Sequence, residues 1–116
     1  AAAAVVVRSY TPVSSAEAYR GCCLELAVKA YPGGTMTQHL AALRPGASVY
    51  ASAPRQTLDL APYAAGVVVV AGGSAVTVAL QICTALLRRH PKRGRVHLVL
   101  CNHASHDVLY TERFCE

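Results

Sequence analysis

The sequence is poor in acidic residues and lacks the features of disordered or membrane-spanning proteins. Only 15% of its residues are charged, whereas 53% are apolar, and this balance excludes an intrinsically disordered chain. The longest apolar run, residues 64–71, is interrupted by Gly66 and is much shorter than the roughly 20 residues that a membrane-spanning helix needs. We therefore predict a folded protein without a membrane span, whose apolar content favours burial against other subunits of a larger assembly.

The cysteines lack the spacing of a metal site or of a disulfide framework. They include no CxxC pair, and their odd number suits a reducing compartment: Cys22, Cys23, Cys83, Cys101 and Cys115. Cys101, His103 and His106 are conceivable metal ligands, but no second pair completes a tetrahedral set. We interpret them as loop residues and predict no metal site. No spacing of serine, histidine and acidic residues identifies a hydrolytic triad, so no catalytic residue is assigned.

The charge is strongly positive. The net charge is +5 and the pI is about 9.2, which would attract an acidic protein, a nucleic acid or an anionic cofactor. Much of this charge lies in one stretch, the basic cluster, formed by Arg88, Arg89, Lys92, Arg93 and Arg95. Such a cluster is usually a solvated helix end, although binding of RNA or of an acidic neighbour remains an alternative.

The length of the chain bears on its domain organisation, and its first residues bear on its cellular location. A chain of 116 residues has material for one domain and is short for two complete ones. Any two-domain organisation must therefore involve incomplete domains.

The sequence opens on Ala1 rather than methionine, as expected where a leader has been removed or a first segment left out. This favours a mitochondrial location, with the cytoplasm as the alternative.

The first half of the chain reads as β structure with one short helix. Residues 5–10 are dominated by β-branched and aromatic residues and residues 22–31 are mostly apolar. The loop between them is rich in Pro, Ser and Gly, which predicts an antiparallel hairpin of two strands. Residues 36–43 are predicted to form a helix after Gly33-Gly34, capped by Thr35 or Thr37. Residues 47–53 are again strand-like.

The second half reads as a βαβ unit. Gly66 to Val70 is a continuous apolar run, typical of a strand buried on both faces. A glycine turn follows, then a helix over residues 76–90 and a second apolar strand over 96–101. The helix face is predicted to carry Val76, Leu80, Cys83 and Leu87. The change in composition places a boundary near residues 58–63.

Four segments resemble one flavoprotein family, in that family's order. Arg8-Ser-Tyr-Thr-Pro-Val-Ser14 resembles the RxYTPVS segment of NADH-cytochrome b5 reductases and related ferredoxin reductase-like proteins. The segment 26–31 resembles their hydrophobic-Lys-x-Tyr strand. Gly33-Gly-Thr-Met-Thr-Gln-His-Leu40 resembles their GGxMSQYL turn, and residues 70–81 resemble AGGTGITPMLQ, the strand, turn and helix that receive NADH.

The resemblance implies a fold, cofactors and a site. It implies a mixed α+β and α/β fold, with a partial antiparallel β-barrel of the FAD-binding type over residues 1–60. A partial parallel α/β nucleotide-binding unit would follow over residues 61–116. FAD would be reduced by NADH and would pass electrons to a haem protein. The implied cofactor-binding residues are Arg8, Tyr10, Thr11, Ser14, Lys29, Tyr31, Gly34, Thr35, Met36 and Thr37 on the flavin side, and Gly73, Ser74 and Thr77 on the nucleotide side.

Departures from the family pattern favour reduced or lost activity. Ala75 stands where the family has a glycine that allows close approach of the nucleotide. Val78 stands where the family has a proline early in the helix. The later segment with a cysteine near the nicotinamide and the first barrel strands are not found in the sequence. The alternative expectation is therefore a non-catalytic structural subunit of a large complex, derived from such a reductase.

Overall fold

The computed structural model describes residues 5–63, 65–92 and 95–114. The regular elements, in chain order, are helices α1 (Ala16–Arg20) and α2 (Thr35–Ala42), strand β1 (Val67–Gly72), helix α3 (Val76–Arg89), strand β2 (Val96–Cys101) and helix α4 (Thr111–Phe114). Short 3-10 turns lie at Ala61–Tyr63, Gly73–Ala75 and Ser105–Asp107. Among these residues, every helix is too short or too polar to cross a bilayer.

The predicted βαβ arrangement is confirmed. Strands β1 and β2 pair in parallel, with Val67 opposite Val96 and Gly72 opposite Cys101. Helix α3 connects the strands and packs against both of them. Such a crossover is the usual way to join parallel neighbours. A tight turn would reverse the chain direction once and leave the two strands antiparallel. The valine run favours a strand, whereas the i+3 and i+4 spacing of the apolar residues after the turn favours a helix.

Helix α3 supplies most of the buried core. Val76, Ala79, Leu80, Cys83 and Leu86 are buried, at the i+3 and i+4 spacing of one helix face. Burial raises the pKa of the Cys83 thiol, because desolvation disfavours the thiolate.

The predicted helix face needs one correction. Leu87, which was expected on the buried face, is 49% exposed. It lies in the last turn of α3, where no other described element covers it.

The valine strand is buried on one face only, so the prediction of two buried faces is wrong. Val67 and Val69 are half-buried, whereas Val68 and Val70 are 62% and 67% exposed. Side chains alternate between the two faces of a strand, and α3 lies on one of them. Within the described residues no element covers the other face, where Val99 of β2 also lies exposed.

The first half forms no barrel within the described residues. Residues 5–10, 22–31 and 47–53 contain no regular strand. The expected hairpin is reduced to one antiparallel bridge between Pro12 and Leu26, next to a hydrogen bond from the Val13 amide to the Glu25 carbonyl at 2.9 Å. A barrel strand needs hydrogen-bonded neighbours on both sides, and Pro12 has no amide to donate. The predicted partial barrel is therefore not observed.

Helix α1 lies inside the segment predicted to be a loop. Ser15 caps its start, since the Ser15 hydroxyl accepts a hydrogen bond from the Ala18 amide at 3.1 Å. Cys22 follows the last turn with a positive φ of 61°. Its amide donates to the Tyr19 carbonyl, and the Cys23 amide donates to the Ala18 carbonyl. These two bonds form a Schellman motif, with a cysteine at the position that usually carries glycine.

Candidate functional site

An open cleft of about 540 Å³ lies between the N-terminal segment, α2 and the start of α3. This volume is within the usual range for small-molecule sites. All residues predicted to bind a cofactor line the cleft except Ser14 and Gly73. Segments that are far apart in the sequence therefore meet at one place. The cleft is also lined by residues that are not among the predicted cofactor-binding ones: Ser9, Ala27, Gly72, Ala75 and Val78.

The cleft is electropositive. Arg8 and Lys29 are its charged residues, and no carboxylate lines it. One Arg8 guanidinium nitrogen donates to the Val7 carbonyl at 2.8 Å, which leaves the other N–H groups of the fork available. A guanidinium fork matches the oxygens of a phosphate group. The charge of the cleft therefore favours an anionic ligand.

Aromatic side chains line the same wall. Tyr10 and Tyr31 both contribute to the cleft, and the Lys29 ammonium nitrogen lies 5.6 Å from the centroid of the Tyr31 ring. This distance is within the range of a cation–π contact, which holds the ammonium group at the edge of the cleft. A planar ligand can pack on tyrosine rings while its anionic groups meet Arg8 and Lys29.

Helix α2 presents its N-terminus to the cleft. Its N-cap is Gly34, and no side chain caps it, so the sequence prediction of a threonine cap is wrong. The Thr37 hydroxyl instead accepts from the Tyr31 amide at 3.3 Å and donates to the Gly34 carbonyl at 3.2 Å. The first amides of a helix have no partner within the helix. Those of residues 35–37 therefore remain available to an anion.

Gly34 is required by close packing at this turn. A Cβ atom at position 34 would collide with the Thr37 hydroxyl oxygen and lie 3.3 Å from the Tyr31 carbonyl oxygen. Gly33, just before it, has a φ of +78°, which glycine adopts without strain. The Gln38 side-chain amide donates to the Tyr31 carbonyl at 2.8 Å and holds the turn against the start of α2.

The start of α3 forms the opposite wall. The Thr77 hydroxyl donates to the Ser74 carbonyl at 3.1 Å, and Ser74, Thr77, Ala75 and Val78 all line the cleft. Ala75 has an ordinary right-handed backbone, with a φ of −64°, so its methyl group is unstrained. Gly73 has a φ of +54° and shapes the turn without lining the cleft.

Ser14 lies beside the cleft rather than in it. Its side chain is buried, and its hydroxyl accepts from the Glu25 amide at 3.2 Å. Sequence reasoning missed Gln81, whose side-chain amide donates to the carbonyl groups of Pro12 and Ser14 at 2.7 and 3.2 Å. A polar residue on the packed side of α3 was the only available signal. Gln81 positions the segment that carries Arg8, Tyr10 and Thr11.

The other candidates from the sequence lie elsewhere. Arg88, Arg89, Lys92 and Arg95 of the basic cluster are exposed, whereas Arg93 lies outside the described residues, as does Cys115. The Nε2 atom of His106 lies 3.9 Å from the Oδ1 atom of Asp107. Within residues 5–63, 65–92 and 95–114 no group of three or more His, Cys, Asp or Glu residues could hold a metal ion.

Comparison with known proteins gives consistent matches. Residues 1–59 match the family model described as the oxidoreductase FAD-binding domain. NADH-cytochrome b5 reductase 1 of Ajellomyces capsulatus is 34% identical over 110 residues, which is 90% of this chain and 35% of that protein. An NADH-cytochrome b5 reductase-like protein of Arabidopsis thaliana is 32% identical over 109 residues, which is 93% of this chain and 33% of that protein.

A further relative extends the same pattern. NADH-cytochrome b5 reductase 1 of Aspergillus clavatus is 34% identical over 113 residues, which is 92% of this chain and 36% of that protein. The chain thus spans about a third of the length of the relatives that it matches. No solved structure gives a significant match.

Proposed function

This chain belongs to the oxidoreductase FAD-binding domain family, and from that premise we propose that it is an electron-transfer module of the NADH-cytochrome b5 reductase type. The observation that carries the proposal is the convergence of Arg8, Lys29, two tyrosines and the start of α2 on one cleft. FAD is the cofactor of the family. It combines a planar ring system with a diphosphate, and the cleft offers groups that suit both.

Each side chain has a distinct role in this proposal. Arg8 binds a phosphate group through its free N–H donors, and Tyr10 and Tyr31 pack against the planar ring. Thr11, which lines the same wall, hydrogen-bonds a polar edge of the ring. Lys29 adds positive charge. When bound, FAD supplies the hydride and one-electron chemistry that no side chain can perform.

The turn at the start of α2 binds the diphosphate. The amides of Thr35, Met36 and Thr37 have no protein acceptor among the described residues, and the positive end of the helix dipole lies there. Gly34 lets the turn pack closely against the Thr37 hydroxyl and the Tyr31 carbonyl, and this packing sets the amides at the start of α2 beside the cleft. The Thr37 hydroxyl is held by two backbone groups and fixes the turn.

A pyridine nucleotide would meet the turn between β1 and α3. Ser74 and Thr77 face the cleft there, but Ala75 and Val78 occupy the same wall. The Ala75 methyl group reduces the room for a nucleotide relative to the glycine of the family pattern, although Ala75 itself is unstrained. Val78 lacks the fixed backbone that a proline gives to the first turn of a helix. We therefore propose weak use of NADH by this polypeptide alone, with a haem protein as the electron acceptor where turnover occurs.

A second candidate is a structural role within a larger assembly. It is favoured by the uncovered sheet face, on which Val68, Val70 and Val99 are exposed. Parallel sheets are usually covered on both faces, so a further subunit would supply the missing cover. In that role the basic cluster would face an acidic neighbour or RNA, which is the alternative to the solvated helix end that its sequence favours.

Visible absorption separates the two candidates. The purified chain is incubated with excess FAD, passed through a desalting column and scanned from the near-ultraviolet to the blue. Retained flavin bands, at about one FAD per chain, support the electron-transfer module. A colourless protein that keeps its circular dichroism spectrum would reject that proposal in favour of the structural role.

A further inference from the structure

Two neighbouring thiols lie exposed outside the cleft. Cys22 and Cys23 are both free and exposed, and neither lines the cofactor cleft. They follow the C-cap Gly21 of α1, at the turn that leads to the Pro12–Leu26 bridge. Cys101 is also exposed and Cys83 is buried, and in the sequence each of these stands apart from any other cysteine. Cys22 and Cys23 therefore form the only adjacent pair.

The backbone of the pair is held in place. The Cys22 amide donates to the Tyr19 carbonyl at 3.0 Å, and the Cys23 amide donates to the Ala18 carbonyl at 2.9 Å. Cys22 keeps a φ of 61°, in the left-handed region that a residue with a Cβ rarely adopts. The two thiols are thus presented on a fixed turn, which lowers the ordering cost of a ligand that needs both.

A direct bond between these two sulfurs is disfavoured by distance. Consecutive Cα atoms are about 3.8 Å apart across a trans peptide, whereas disulfides usually join Cα atoms about 4.4 to 6.8 Å apart. The structure contains no cis peptide among the described residues. A bridge with one extra atom between the sulfurs is longer and relaxes this restriction, so the pair suits a single thiophilic atom better than a disulfide.

We infer that Cys22 and Cys23 form a vicinal dithiol site for trivalent arsenicals. The reaction with an arsonous acid breaks two S–H bonds and two As–O bonds and forms two As–S bonds. Two water molecules leave, and arsenic stays trivalent. No oxidant or reductant is needed. The product is a ring that contains arsenic, both sulfurs and the peptide bond between the two cysteines.

Phenylarsine oxide, which takes up one water molecule to give phenylarsonous acid, tests the site. The reduced protein is titrated with it, and the bound arsenical is counted by intact-mass spectrometry before and after excess monothiol (2-mercaptoethanol) or dithiol (2,3-dimercaptopropanol). We expect one arsenical per chain that survives the monothiol and is removed by the dithiol. Loss of either thiol should weaken binding by at least about 100-fold, because the second As–S bond forms intramolecularly.

The variants separate chelation from folding effects. Cys22→Gly keeps the turn and suits its positive φ, so it should fold and lose the arsenical; Cys23→Ser should lose it as well. Cys101→Ser is the matched control and should bind as the parent does. Retained binding in Cys22→Gly, or loss in Cys101→Ser, would overturn the inference. FAD retention is scored on the same samples, and since the pair does not line the cleft, it should be unchanged by the arsenical.

Discussion

The side-chain amide of Gln81, in the middle of α3, donates a hydrogen bond to the Pro12 carbonyl at 2.7 Å. Pro12 directly follows the segment of Arg8, Tyr10 and Thr11, and α3 begins at the opposite wall of the cleft. This contact therefore joins the two walls. It crosses the boundary predicted near residues 58–63, which itself stays a prediction.

Replacing Gln81 should loosen the cleft. Gln81→Leu removes two hydrogen bonds and leaves the Pro12 and Ser14 carbonyls without this donor. We expect a loss of about 1 to 3 kcal/mol in the free energy of unfolding, measured by urea denaturation, together with weaker FAD retention. Gln56→Leu is the control, since Gln56 is exposed and bonds only the nearby Leu58 carbonyl. Equal effects of both variants would contradict a joining role for Gln81.

Arg8 is expected to bind a phosphate group of the flavin nucleotide. Arg8→Ala removes a charge-assisted contact worth about 1.5 to 3 kcal/mol, so the dissociation constant for FAD should rise roughly 10- to 100-fold. Quenching of flavin fluorescence on binding measures this change. Arg55→Ala removes another exposed arginine, away from the cleft, and should leave the affinity unchanged. An unchanged affinity in Arg8→Ala would reject the placement.

Gly34 is expected to tolerate no side chain. In Gly34→Ala the new methyl group meets the Thr37 hydroxyl oxygen, and overpacking of this kind costs about 1 to 3 kcal/mol. Thermal denaturation should show the loss, and adding Thr37→Ala should recover part of it, because the colliding oxygen is gone. Gly21→Ala is the control, since its Cβ would approach only to 3.4 Å of the Ala18 carbonyl oxygen. If the losses of stability in Gly34→Ala and Thr37→Ala simply add in the double variant, the collision is contradicted.

Turnover with NADH should be low. Ala75 and Val78 both line the cleft at the start of α3, where we propose that a nucleotide would bind, and misplacement of reactants by about 1 Å can reduce the rate by on the order of 100-fold. With saturating FAD and NADH, ferricyanide reduction should stay well below the ordinary enzyme range of roughly 1 to 1,000 per second. Ala75→Gly, alone and with Val78→Pro, should raise the rate if these two departures from the family pattern are its cause. A parent rate within the ordinary range would refute the expectation.

The parts of the fold that depend on local pattern could be predicted from the sequence. Strand β2 was predicted with its observed bounds, and α2 and α3 to within about one residue. Helix α1 was missed because a five-residue helix gives little periodicity, although Ser15 was a readable cap. The barrel was predicted from resemblance, and its pairing depends on strands far apart in the chain, of which the described residues form one bridge.

The candidate site was predictable for a different reason. No spacing rule places residue 8 near residue 77; the resemblance to a family implied it, and both residues line the cleft. The roles of Ser14 and Gln81 were not foreseen. The Gln81 side chain bonds the carbonyl groups of Pro12 and Ser14, and the Ser14 hydroxyl accepts from the Glu25 amide; only the folded structure reveals these partners.

The uncovered sheet also bears on how the protein behaves in concentrated solution. Within residues 65–92 and 95–114, β1 and β2 each pair on one side only, so each keeps a free edge of backbone donors and acceptors. Val67–Gly72 is rich in β-branched residues and has no charge and no proline, which is the composition of segments that aggregate through added strands. Until another surface covers that edge, the chain should self-associate with rising concentration, and a lysine introduced at the exposed Val68 position should oppose this.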